Sequence, residues 1–162
     1  MEIERKFLVK KLPEELEKHH KVRHKQGYIS TDPQLRLRCC EKGSFEEYFF
    51  TFKSGKGLER QEFEFQLTKE QFDNLWQLIA DNSIVEKDRY FIPLDSGFVA
   101  ELDIFAGRLG GLITIEVEFE NVEQASTFTP PHWFGEDVTN DERYSNSNMQ
   151  GWSSISTRQS RI

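Results

Sequence analysis

Polar and apolar residues alternate along most of this chain. Near its start, Glu2, Glu4 and Lys6 share one parity while Ile3, Phe7 and Val9 share the other. That period of two marks a β-strand, whose successive side chains point to opposite faces. The same pattern runs through 22–29, 34–40, 46–53, 59–67, 84–92, 97–105 and 112–120, so eight strands are predicted. Thr31-Asp32-Pro33, Glu41-Lys42-Gly43, Ser54-Gly55-Lys56-Gly57, Asp95-Ser96-Gly97 and Gly110-Gly111 each separate two of them, which predicts tight antiparallel hairpins. The period becomes helical after Thr68 and Gln71, a capping box, where Phe72, Leu75, Trp76 and Ile79 predict a helix over 69–79. Shorter helices are expected after Asn121, ending before Pro130-Pro131, and between Pro13 and His20.

The parities carry a second message. Arg36 and Arg38 oppose Leu35 and Leu37; Lys53 opposes Phe50 and Phe52; Arg60, Glu62 and Glu64 oppose Phe63 and Phe65. Lys87 pairs in parity with Arg89, Glu101 with Asp103 against Leu102 and Ile104, and Glu116 with Glu118 against Ile115, Val117 and Phe119. Seven strands thus give one face to charge. A solvated sheet face is normally rich in Thr, Ser and Gln, with charges in weak cross-strand pairs. Here like charges recur two residues apart on one strand, which costs repulsion and has a purpose only if the acids hold divalent cations and the bases a polyanion. An eight-stranded sheet that curls until its edges meet would turn this face inward as a charged tunnel. The fold class predicted is therefore mainly β, an eight-stranded antiparallel β-barrel with a few flanking helices.

Composition narrows the partners. The 162 residues suit one domain, here 1–149, followed by a Ser-rich, flexible tail over 150–162. Aromatic residues reach 13%, enough for a core, and 28 acids against 21 bases give a net charge of -7, which argues against general binding to nucleic acid or an anionic membrane. No apolar run approaches the roughly 20 residues of a membrane helix, and Cys39 and Cys40, adjacent on a strand, cannot staple a loop, so a reducing, cytoplasmic setting is expected. Clustered carboxylates suit Mg2+ or Mn2+, and seven bases suit a chain as charged as a triphosphate. Metal and polyphosphate together point to phosphoryl transfer to water without a residue nucleophile.

Glu2-Ile3-Glu4-Arg5-Lys6 resembles the E-x-E-x-K strand of the CYTH domains, or triphosphate tunnel metalloenzymes. Gln26-Gly27-Tyr28, L-R-L-R at 35–38, Lys53, R-Q-E-F-E at 60–64, E-K-D-R-Y at 86–90, E-L-D at 101–103, E-V-E-F at 116–119, Trp133-Phe134-Gly135 and D-V-T-N-D-E-R-Y at 137–144 extend the resemblance, in order, to the family's bacterial branch. It implies a barrel that binds a linear triphosphate along its axis and cleaves a phosphoanhydride with a divalent metal. By the same resemblance Lys6, Arg36, Arg38, Lys53, Arg60, Lys87, Arg89 and Arg143 hold phosphates. Glu2, Glu4, Glu62, Glu64, Glu101, Asp103, Glu116 and Glu118 supply metal ligands, second-tier contacts and orientation of the water. Glu4, Glu116 and Glu118 are favoured as principal ligands, with Glu2 and Asp103 near the water; Glu62, Glu64 and Asp103 complete the metal set, and Lys6 joins Glu2, Glu4 and Asp103 as catalytic.

An inorganic triphosphatase is the leading expectation, because the interior offers charge and almost nothing to stack a base or a thiazole ring. A related enzyme acting on an organic triphosphate (class IV adenylate cyclase, thiamine triphosphatase or nucleoside triphosphatase) and a non-catalytic polyphosphate or nucleotide sensor stay open, with the protein a monomer or homodimer. His20 and His24, four apart and preceded by His19, lack a carboxylate at matching spacing and are expected on solvated surface. Gly55-Lys56-Gly57 is expected as a hairpin turn, and Trp133 and Phe134 as a plug near one barrel end.

Overall fold

The alternating segments form strands because each can bury its apolar parity and only a closed sheet shelters the other. The structure, a computed structural model, describes residues 1–55 and 58–145. The strands are β1 (Glu2–Val9), β2 (His20–Thr31), β3 (Gln34–Lys42), β4 (Phe45–Ser54), β5 (Glu59–Leu67), β6 (Val85–Pro93), β7 (Val99–Phe105) and β8 (Ile113–Phe119). All pair antiparallel in the order β5-β4-β3-β2-β6-β7-β8-β1, and β1 meets β5 to close the ring. This is the eight-stranded barrel that the alternation predicted. The expected turn at Gly55-Lys56-Gly57, beyond Gly55, and the tail over 150–162 lie outside the described residues.

A ninth strand, β9 (Phe134–Asp137), was not expected and explains how the ring closes. The first half of β1 pairs with β5 at Glu2↔Arg60 and Ile3↔Glu59, while its second half pairs with β9 at Phe7↔Asp137 and Val9↔Phe134. Phe134 packs edge-on against Phe7 with ring centroids 5.0 Å apart, on the outer surface, so it is no plug of the barrel end. The plug is built by parity instead. Past Lys6, Lys87, Asp103 and Thr114 the inward positions turn apolar, and Leu8, Val85, Phe105 and Leu112 join Tyr28, Leu109, Val138 and Tyr144 in one buried cluster.

Two helices cover the outer face. α1 (Lys69–Trp76) has its capping box, with Thr68 Oγ1 accepting from the Gln71 backbone and Gln71 Oε1 from the Thr68 backbone, but it ends three residues before the predicted Ile79. It seats Phe72 against Leu37 and Tyr48. α2 (Val122–Thr127) starts at the predicted Asn121 cap and lies over Phe7, Leu102, Ile115, Val117 and Phe119. Between Pro13 and His20 only a single 3-10 turn forms, Leu16–Lys18, because Glu15 adopts a left-handed φ of 57° that stops a helix from running through it.

Candidate active site in the barrel interior

Ring order sorts the inward charges into two walls. β4, β3 and β6, with β2 between the last two, contribute Lys53, Arg36, Arg38, Lys87 and Arg89. β7, β8, β1 and β5 contribute all eight acids, with Lys6 and Arg60 among them. Two chambers open along this interior and meet at Glu4 and Lys53, which line both. One, of about 350 Å³, is lined by Arg36, Arg38, Lys87, Arg89, Glu101, Glu116 and Glu118 among others. The other, of about 610 Å³, lies under the 138–145 segment beside Lys6 and Arg60.

On the acidic wall, carboxylate oxygens of Glu2, Glu4 and Glu118 all lie within 4.8 Å of one another. Burial, reinforced by Glu116 and Glu2, pushes the Glu4 pKa up to about 8. Burial also raises Glu2 and, together with Glu116, raises Glu118. Three acids whose negative charge is made costly chiefly by burial, with their oxygens this close together, fit a divalent cation, which would supply the counter-charge. Glu116 differs: burial alone would raise it, but Lys6, Arg89 and Lys87 outweigh that and hold it well below the carboxylate range.

Most of the bases already hold acids. Lys53 reaches Glu2 at 3.1 Å and Glu62 at 3.2 Å, Arg60 bonds Glu4, and Arg38 meets Glu64 at 2.9 Å. Arg89 bridges Glu101, Asp103 and Glu116, taking Asp103 through two nitrogens at 2.7 and 2.8 Å. Lys87 sits 2.7 Å from the same Asp103. Burial would raise the Asp103 pKa, but Arg89 and Lys87 bring it to about 2. Arg36 and Lys6, both buried, are the exceptions: among the described residues neither has a carboxylate within ion-pair distance, though Lys6 donates to the Tyr144 carbonyl at 2.7 Å. Burial would lower the Arg36 pKa, but Tyr28 and the charge of Glu62 outweigh it. Its Nε has no hydrogen-bond partner among the described residues, so a donor is left for an anion.

The CYTH family model matches residues 1–128. The chain belongs to the CYTH family. An inorganic triphosphatase from Nitrosomonas europaea is 48% identical over 147 residues, covering 90% of this chain and 93% of that protein. Another inorganic triphosphatase, from Acetivibrio thermocellus, is 32% identical over 152 residues, covering 91% and 92%. The crystal structure of the inorganic triphosphatase NE1496 superposes with a TM-score of 0.69 at 43% identity, over 95% of this chain and 97% of that one.

Within the CYTH barrel the predicted residues separate by environment. Glu4 and Glu118 come together as expected, but their third partner is Glu2, while Glu116 is engaged by Arg89. Asp103 lines neither chamber, being sealed behind Lys87 and Arg89, and Glu62 and Glu64 are paired with Lys53 and Arg38, outside the trio. Arg143 is not brought to the other bases: its side chain is 58% exposed and is held by Asp141, two residues before it. Two expectations need correction. The interior does offer rings, since Phe49 and Phe91 line the smaller chamber. His24 is 5% exposed and faces that chamber, because it shares the inward parity of Val22 and Gln26; parity with Gln26 was the signal available in the sequence. His20, by contrast, is exposed and stacks on Phe91 at 5.5 Å.

Proposed function

We propose that this chain is a divalent-metal-dependent inorganic triphosphatase that binds tripolyphosphate between the two walls and hydrolyses one phosphoanhydride bond. The observation that carries this reading is the juxtaposition of a buried Arg36, with no carboxylate in ion-pair contact among the described residues, and the Glu2, Glu4 and Glu118 trio across one interior. An anion binder alone would have no use for three crowded acids, and a cation site alone would have none for Arg36.

Arg36 and Arg38 lie two residues apart on one face of β3, roughly 7 Å along the strand, so their long guanidinium arms can converge on different phosphates of one chain. Lys53 and Lys87 add point charges beside them, and Lys6 and Arg60 reach the chain from the opposite wall. Asp103 acts one step back, holding Arg89 and Lys87 in place, and Glu2, at the edge of the trio, accepts the hydrogen bond that orients the attacking water. Mg2+ or Mn2+ held by Glu2, Glu4 and Glu118 would supply Lewis acidity toward the phosphoryl oxygens. Both relatives' names support the inorganic substrate, as does the state of the two rings. The Phe49 face is taken by the Arg38 guanidinium at 5.2 Å and Phe91 by His20, so neither is free for a base.

Phosphate release from tripolyphosphate, ATP and thiamine triphosphate, compared with Mg2+, Mn2+ or EDTA present, tests the proposal. Turnover should be fastest on tripolyphosphate and lost with EDTA. Undiminished turnover after exhaustive chelation, or preference for ATP, would refute it.

A further inference from the structure

One stretch of the tunnel wall has no part in this chemistry. β2 runs through the middle of the basic wall, between Arg36 and Arg38 of β3 and Lys87 and Arg89 of β6, yet its own inward residues, Val22, His24 and Gln26, carry no fixed charge. His24 stands level with Cys40 on one side and Lys87 on the other. Its Nδ1 is buried without a hydrogen-bond partner among the described residues, and so is Nε2 of the neighbouring Gln26. Buried polar atoms are rarely left so, and where they are, an absent ligand is a standing explanation.

The surroundings say which ligand. The groups that face the ring are Arg38 and Cys40 from β3 and Lys87 and Arg89 from β6, with Asp103 beyond them on β7 already held by those two bases. Burial, with Arg89, Lys87 and Arg38 nearby, pushes the imidazole pKa down to about 2, so the ring is neutral and keeps one N–H donor. A neutral donor suits this position. A further cation would repel the three that are already there, whereas an N–H adds direction without charge.

We infer that His24 is a substrate-binding residue of the tunnel, donating a hydrogen bond to a non-bridging oxygen of the phosphate held between Arg38 and Lys87. The inference rests on the triphosphate reading above and adds to it a contact from the strand between the two arginine-bearing elements. His24 then fixes the rotation of that phosphate, which two cations alone leave loose.

Calorimetric titration of tripolyphosphate with Ca2+, which suppresses hydrolysis, into wild type, His24→Leu, His24→Met and His24→Gln tests this, alongside KM and kcat with Mg2+. The apolar variants should bind about 10-fold to 100-fold more weakly, the range of a hydrogen bond to a charged group, with KM rising by more than kcat falls. Without ligand they should melt at or above the wild-type temperature, since an orphaned polar group has been removed. His24→Gln, which keeps a donor, should recover most of the affinity. Wild-type affinity in either apolar variant overturns the inference while leaving the triphosphate reading intact. Loss of affinity in all three variants together with lower melting temperatures also overturns it, as the mark of a packing role. A wild-type protein that neither binds nor hydrolyses tripolyphosphate overturns both.

Discussion

Arg36 is a buried charge with no carboxylate in ion-pair contact among the described residues. Arg36→Met keeps its length and apolar stem, so the ligand-free protein should gain stability, as replacement of buried ionic groups by apolar ones often does. Arg36→Lys keeps the charge but not the two-pronged fork, and tripolyphosphate should bind about 1 to 3 kcal/mol more weakly. Opposite signs in chemical denaturation and calorimetry separate a binding arginine from a structural one. Glu4→Gln makes the complementary test on the acidic wall: volume is kept, crowding is relieved, and the fold should be no less stable. Turnover should fall by at least about 10-fold to 100-fold, the range that even groups one contact removed from a metal are worth. His24 has a separate signature in acid. Its folded pKa of about 2 lies far below the ordinary value near 6.5, so between these limits the unfolded chain binds the extra proton and stability falls as pH falls. His24→Gln should remove up to about 1.4 kcal/mol per pH unit from that slope below pH 6, read from urea midpoints at several pH values.

At the level of elements, packing of α1 on the barrel depends on Gly27 of β2. A Cβ there would come 2.5 Å from a methyl of Ile79 and 3.2 Å from the Trp76 ring. Gly27→Ala should cost about 1 to 3 kcal/mol by overpacking, and Ile79→Ala in the same chain should return part of it, measured as urea midpoints. The strands were legible because a half-buried strand writes its parity into the sequence for seven or more residues, as 99–105 and 113–119 do. β9 was not, since four residues beside prolines leave no room for alternation and its place is set by Phe7 and by backbone pairing with β1. The segment between Pro13 and His20 misled because amphipathic composition says nothing of the left-handed turn at Glu15. The walls were legible residue by residue, but the grouping of Glu2 with Glu4 and Glu118, and the sealing of Asp103, depend on which strands become neighbours when the sheet closes. His24 was misplaced because its parity was not followed: it alternates with Val22 and Gln26 whether the strand starts at His20 or at Val22, and that parity faces inward.

For the molecule as a whole, the two walls nearly cancel. Among the described residues the strands turn seven bases and eight acids toward the tunnel walls, and the sequence, with 21 bases and 28 acids in all, holds 14 further bases and 20 further acids. The affinity for a polyanion is therefore hidden inside a body that is itself an anion. Most enzymes with charged substrates attract them from a distance and lose association rate as salt screens the field. Here screening works the other way on approach. In stopped-flow mixing, the association rate of tripolyphosphate should rise as ionic strength goes from about 0.01 M to 0.1 M, where the Debye length shrinks from about 30 Å to about 10 Å. Delivery would then be a matter of trespass, not of lure: discrimination falls to whatever enters the mouth, and common singly charged anions find no field drawing them in to compete.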